Sequence, residues 1–85
     1  MKQYVYPAVF YYNKEEDCYT VAFHDLQIYT EGDTVEKAFL SAKEFLEAYF
    51  ECIDEFNVKV PEPSDYDLVV KENKNHTVLL VDVEI

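Results

Sequence analysis

The pattern of apolar and polar positions along the chain predicts three strands followed by a long helix. Residues 3–12 and 18–23 are rich in β-branched and aromatic side chains, and the polar turn between them predicts a hairpin. A third, short strand is predicted over residues 27–31. From Thr34 to about Glu55, the apolar residues fall on one arc at ~100° per residue and the charges lie opposite. This segment is therefore predicted to be an amphipathic helix.

The last third of the chain predicts a connector and two further strands. Two prolines in residues 60–64 predict an extended segment, because proline disfavours helix at the residue before it. Residues 66–70 and 77–83 are predicted to be strands on either side of a turn at residues 72–75. The predicted fold class is α+β, an antiparallel β-sheet with one long helix packed on one face, in the order β-β-β-α-β-β.

The predicted sheet is apolar on both faces, although one helix can cover only one of them. Apolar side chains occupy both the even and the odd positions of residues 3–12, and residues 77–83 repeat this pattern. At ~25 cal/mol per Å² of apolar surface, leaving several such side chains in water would forfeit several kcal/mol. A second chain is expected to cover the open face, which predicts a homo-oligomer (a dimer or larger), a partner-binding protein, or both.

Composition favours a single domain over residues 1–85. The chain is 49% hydrophobic and 16% aromatic, which suits one small folded core. No apolar run approaches the ~20 residues of a membrane span, and the N-terminus lacks the apolar stretch of a signal peptide. A cytoplasmic protein without a membrane partner is expected. Cys18 and Cys52 form no metal-binding motif and are expected to be two buried thiols.

Charge separates the possible partners. The formal net charge is −11, from seven basic and eighteen acidic residues, and the excess is spread evenly along the chain. No basic patch remains for a phosphate backbone, so direct nucleic-acid binding is not expected. An even acidic surface favours solubility, and it also attracts a basic protein partner.

The residue pattern gives no support for catalysis, a cofactor or a metal. Asp25, Glu31 and Asp33 lie near predicted strand ends, where carboxylates can gather a divalent ion, but cap and turn roles account for Asp33 and Glu31. Neither histidine has a nucleophile at motif spacing, and one glycine is too few for a phosphate loop. A nuclease using the three carboxylates is disfavoured, because that chemistry needs carboxylates converging from several separated elements.

The single glycine lies where the third strand meets the helix. Gly32 is predicted to reverse the chain at positive φ, which glycine adopts without steric cost. Asp33 is predicted to cap the helix, and Glu36, three residues later, has the spacing of a capping box. Structural roles are expected for all three residues.

A set of short motifs follows in a fixed order along the chain. They are Tyr4-x-Tyr6-Pro7-Ala8-Val9-Phe10, Asp17-x-Tyr19-x-Val21-x-Phe23-x-Asp25-Leu26, Thr30-x-Gly32-Asp33-Thr34-x-Glu36-x-Ala38, Ala42-Lys43-Glu44 and Pro61-Glu62-Pro63-Ser64. This ordered set resembles the N-terminal domain of HicB-type antitoxins, which also occurs in stand-alone HicB-like proteins. The resemblance covers roughly residues 2–64, and the final strand fits it too. One corner departs from the family, which commonly has Asp-Leu-Pro-Gly-Cys where this chain has Asp25-Leu26-Gln27-Ile28-Tyr29.

The resemblance implies a reduced RNase H-like fold that does no chemistry, needs no cofactor and masks a small basic HicA-type toxin, an mRNA ribonuclease. The alternative is a stand-alone HicB-like oligomeric adaptor without a toxin. Many members continue into a DNA-binding domain, and because this chain stops at Ile85, no C-terminal DNA-binding domain is expected. Tyr12 and Tyr19 flank the charged turn of the first hairpin. With Asp17 and Asp25 on the rim, they are the predicted toxin contacts.

Overall fold

A four-stranded antiparallel sheet and two helices make up the described part of the fold. The computed structural model describes residues 3–56 and 60–84. The α+β class and the long helix on one face of an antiparallel sheet are confirmed, whereas the observed order is β-β-β-α-α-β. The elements are β1 (Gln3–Asn13), β2 (Cys18–Phe23), β3 (Tyr29–Gly32), α1 (Val35–Phe56), α2 (Tyr66–Glu72) and β4 (Thr77–Glu84), with the strands in the order β3-β2-β1-β4.

The main core lies between α1 and one face of the sheet. The helix buries one apolar stripe, as predicted, and Leu40 among its charges is exposed. Phe45 was expected on the buried stripe but is 52% exposed, whereas its neighbour Leu46 is fully buried. The core residues shared by this layer include Ala38, Ala42, Leu46 and Phe50 of α1, Tyr6, Ala8 and Phe10 of β1, Val21 and Phe23 of β2, and Val81 and Val83 of β4.

The two long pairings of β1 set the register of the sheet. Ala8 lies opposite Phe23 of β2 and Leu79 of β4, so these residues share the face covered by α1. The predicted β1–β2 hairpin is confirmed. Its turn ends at Asp17, which has φ of 50°, a left-handed conformation that aspartate tolerates better than most residues.

Residues 66–70 form part of a helix, so the strand predicted there is wrong. The Asp65 carboxylate caps α2 by accepting from the Asp67 N–H at 3.2 Å. Val69, which is fully buried, packs against Val9 and Val78 on the sheet face opposite α1. The chain therefore covers part of its own second face, which was expected to need a second chain.

Close approach, rather than backbone reversal, requires glycine at the end of β3. Among the described residues no glycine has positive φ, so the conformation predicted for Gly32 is wrong. A Cβ atom built on Gly32 would lie 2.4 Å from the Ala38 nitrogen and 2.7 Å from its Cα. Any side chain would therefore collide with the first turn of α1.

Thr34, rather than Asp33, caps α1. The Thr34 hydroxyl accepts from the Lys37 N–H at 3.1 Å, and the Thr34 carbonyl accepts from the Ala38 N–H at 2.9 Å. The helix begins at Val35, one residue later than the predicted capping box required. The roles predicted for Asp33 and Glu36 are therefore corrected, because a shift of one residue moves the cap to the threonine.

The two cysteines differ in environment. Cys18 is buried, as predicted, whereas Cys52 on α1 is exposed. Neither helix in the described part of the chain has the length and apolarity needed to cross a membrane.

Candidate functional site

The tip of the β1–β2 hairpin brings three of the four predicted contact residues together. Tyr12 and Tyr19 are partners across the strand pair, with ring centroids 5.2 Å apart. The Tyr12 hydroxyl donates to Asp17 Oδ1 at 2.7 Å. This hydrogen bond to a carboxylate raises the pKa of Tyr12, because the phenol must stay protonated to donate.

The two tyrosines differ in how much surface they offer. Tyr12 is 50% exposed, whereas Tyr19 is half-buried and packs against the main core. Asp17 is exposed beside them in the turn. The hairpin tip can therefore present one aromatic ring and one carboxylate to a partner, with Tyr19 as a support beneath.

Asp25 lies away from the hairpin tip, and its carboxylate holds the connector before α2. It follows the far end of β2, where its carboxylate accepts from the Ser64 hydroxyl and, at 2.8 Å, from the Ser64 N–H. Burial alone would raise the pKa of Asp25, but the two hydrogen bonds from Ser64, together with the hydrogen bond and charge of His24, outweigh burial and hold the pKa below its usual value. Nearby, the Tyr6 hydroxyl donates to the Pro61 carbonyl. Asp25 and Tyr6 thus anchor the connector before α2.

His24 links the same anchor to α2. Its Nδ1 lies 3.4 Å from Asp25 Oδ1, and its Nε2 lies 3.2 Å from Glu72 Oε2. Burial lowers the pKa of His24, but the hydrogen bonds to Glu72 and Asp25 outweigh it, so the net shift is upward. Ser64 bonds to the aspartate and not to the imidazole, so a serine–histidine–aspartate relay is not assembled.

Sequence reasoning missed the partners of Asp25 and His24. Ser64 belongs to the Pro61-Glu62-Pro63-Ser64 motif, for which the sequence predicts no particular contact. Glu72 was assigned to a turn, and only the helix brings its carboxylate back to the end of β2. This motif was the one sequence feature that marked Ser64, but it does not predict the contact with Asp25.

A second acidic cluster lies at the other end of β2. The potential ligand atoms of Glu16, Cys18 and Glu31 lie within 4.8 Å of one another. These three residues line one surface hollow, and Asp33 lines it as well. Burial raises the pKa of the Cys18 thiol, so this sulfur stays protonated and points its weak donor at Glu16, 3.7 Å away. A protonated thiol is a poor metal ligand, and we assign no metal here.

Comparison with solved structures identifies the fold. A chain of a toxin–antitoxin complex from Streptococcus pneumoniae is 22% identical, with a TM-score of 0.82 over 98% of this chain and 70% of that chain. The N-terminal domain of the antitoxin HicB from Burkholderia pseudomallei is 20% identical, with a TM-score of 0.83 over 96% of this chain and 100% of that chain. Both similarities establish the shared fold.

Comparison with family models extends the match to sequence. A search of curated proteins returned no significant match. The model of the family HicB_like antitoxin of bacterial toxin-antitoxin system matches residues 5–80. Since this match spans most of the sequence, and the fold agrees with it, the chain belongs to the HicB-like antitoxin family.

Proposed function

We propose that this protein is a non-catalytic antitoxin that binds and masks a small basic ribonuclease of the HicA type. The observation that carries the proposal is the family match over residues 5–80. The similar chain from S. pneumoniae, described as part of a toxin–antitoxin complex, supports a toxin as the class of partner.

Charge supports a basic partner in particular. The net charge of −11 attracts a lysine-rich protein and speeds its diffusional encounter, while repelling RNA. The carboxylate of Asp25, one of the three considered for nuclease chemistry, is engaged by Ser64 and His24. We therefore propose inhibition by masking, in the cytoplasm, without metal or cofactor.

The hairpin tip remains one predicted contact with the toxin. Tyr12 and Asp17 are exposed there, so both are available to a partner. Asp25 is a less direct candidate, because its carboxylate is committed to Ser64.

The alternative is a stand-alone oligomeric adaptor, in which copies of the chain cover the rest of the second sheet face. The observation favouring it is the exposure of Val5 and Leu80 on that face. A neighbouring reading frame for a short lysine-rich protein favours the antitoxin, and its absence favours the adaptor.

Co-expression with the product of the adjacent reading frame tests the proposal. The two proteins are expected to elute together in size-exclusion chromatography, and the complex is expected to lose the RNA cleavage of the partner. Association should weaken as salt rises, because the Debye length falls from ~10 Å at 0.1 M to ~3 Å at 1 M. An unrelated acidic protein of similar charge is the control. Separate elution, or cleavage that persists in the mixture, would contradict the antitoxin function.

Purified protein alone should cleave neither RNA nor an RNA–DNA hybrid, with or without Mg²⁺ or Mn²⁺. Cleavage that disappears in Asp25→Asn would instead assign a nuclease and overturn the masking proposal.

A further inference from the structure

The sheet face opposite α1 is only partly covered in the described part of the chain. Val9 and Val78 are buried beneath Val69 of α2. Beyond α2 the same face stays open. We call the open part the α2–β4 surface; its large apolar residues are Val5, Tyr66, Val70 and Leu80, which are 37–45% exposed.

The sheet register places two of these residues side by side. Leu80 lies opposite Pro7, and Val5 lies opposite Asp82, so Val5 and Leu80 are diagonal neighbours on one face. The alternate residues of β4 face α1, and two of them, Val81 and Val83, are buried in the main core.

A hydrogen bond attaches α2 to this strand. The Tyr66 hydroxyl donates to the Val78 carbonyl at 3.1 Å, which holds the N-terminal end of α2 against β4. Val70, four residues after Tyr66, lies on the same side of the helix. The exposed apolar side of α2 therefore adjoins the exposed part of β4.

The charge around the α2–β4 surface selects its occupant. Residues 60–84 carry six carboxylates and only two lysines. Asp67 and Glu84 are exposed on the two elements that form the surface. A second copy would bring the same acidic rim, and another net charge of −11, against this one. Like charges facing each other oppose association, whereas a basic protein would neutralise the rim.

An apolar centre with a charged rim is the usual layout of a protein interface. The centre supplies most of the binding energy and the rim steers the approach. The hairpin tip offers less apolar area, because Tyr19 is half-buried against the core and the Tyr12 hydroxyl is held by Asp17.

We propose that the α2–β4 surface is the principal docking site for the basic protein partner of this antitoxin. This inference rests on the proposed function and places its apolar contact on the sheet face opposite α1. The hairpin tip, whose Tyr12 and Tyr19 lie on the α1 side of the sheet, is then peripheral to the contact.

Two leucines provide a matched test. Leu80 of the surface is 45% exposed and Leu40 on the outer side of α1 is 53% exposed, so Leu80→Gln and Leu40→Gln make the same chemical change at similar exposure. Binding to the product of the adjacent reading frame is measured by surface plasmon resonance. We expect Leu80→Gln to raise Kd roughly 10-fold or more, mainly through the off-rate, and Leu40→Gln to leave Kd within about 2-fold.

A charge comparison uses Asp67→Asn against Asp17→Asn, each of which removes one exposed carboxylate with little change of shape. Asp67→Asn should slow association at low salt, and the difference from wild type should vanish at high salt. Asp17→Asn should have the smaller effect. The reverse order would place the rim at the hairpin.

The outcomes separate this inference from the proposed function. If wild type binds and inhibits the partner, but Tyr12→Ala weakens binding while Leu80→Gln does not, the docking site is the hairpin and the inference is wrong. If wild type is a dimer by sedimentation, and Leu80→Gln makes it monomeric without changing partner affinity, a second copy occupies the surface and the inference is again wrong. If wild type itself does not bind, the antitoxin function fails.

Discussion

Substitution of Gly32 by alanine tests why the chain has glycine at the end of β3. The added Cβ atom would lie 2.4 Å from the Ala38 nitrogen and 2.8 Å from the Lys37 carbonyl carbon. Cβ atoms essentially never make contacts below 3.0 Å. The atoms that would clash belong to the helix backbone, which cannot move aside by a side-chain rotation. The strand and the helix must therefore separate.

The cost of this separation has two parts. Overpacking of this kind costs about 1–3 kcal/mol. The affected nitrogen of Ala38 also donates the first hydrogen bond of α1, to the Thr34 carbonyl, and weakening it adds about 1 kcal/mol. We expect Gly32→Ala to lower the free energy of unfolding by roughly 2–4 kcal/mol, a large share of the ~4–13 kcal/mol typical for a domain of this size.

Urea unfolding followed by circular dichroism measures this loss. Glu31→Ala, at the preceding exposed position, is the matched control and should change stability little. Gly32→Asn separates the two explanations for the glycine, because asparagine adopts left-handed conformations readily but carries a Cβ atom. Close approach predicts that asparagine costs at least as much as alanine. A Gly32→Ala protein within about 0.5 kcal/mol of wild type would refute the reasoning.

Three further predictions concern the anchor and the helix cap. The raised pKa of His24 stabilises the fold fully below pH 6.5, and this stabilisation is lost as pH rises through the pKa of His24 in the folded protein. The lowered pKa of Asp25 stabilises the fold above pH 3.8, and this stabilisation is lost as pH falls through the pKa of Asp25 in the folded protein. The urea unfolding midpoint of wild type should fall as pH rises above 6.5, and this dependence on pH should become flatter in His24→Gln. The same decline in both proteins would contradict the prediction. Ser64→Ala should lower the free energy of unfolding by about 1–3 kcal/mol and raise the pKa of Asp25. An NMR titration of the carboxyl group measures this pKa, and an unchanged pKa would mean that Ser64 does not hold the carboxylate. Thr34→Ala should cost about 1 kcal/mol by thermal unfolding and Asp33→Ala clearly less, and equal losses would dispute the assignment of the cap.

Local periodicity determined the elements that repeat their pattern over many residues. The long apolar stripe of α1 and the run of β-branched and aromatic residues in β1 each involve enough positions to outweigh single exceptions such as Phe45. The β1–β2 hairpin was equally clear, because its turn is polar and lies between two apolar strands. Fold class and family therefore followed from the order of residues alone.

A seven-residue segment offers too little pattern for that kind of inference. Residues 66–72 contain three apolar residues in a row, which suits a short strand or one side of a short helix equally well. The helix forms because Asp65 caps it and because Val69 fills the space above Val9 and Val78. That space exists only after β1 and β4 have paired.

Tertiary structure also decided which residues meet across the chain. Asp25 and Ser64 are 39 positions apart, and only the return of the connector to the end of β2 gives the carboxylate its partner. The need for glycine at position 32 likewise comes from the first turn of α1 and not from the local backbone angle. Sequence periodicity reports on neighbours three or four residues away, whereas close approach and hydrogen bonding between distant segments depend on packing that periodicity does not encode.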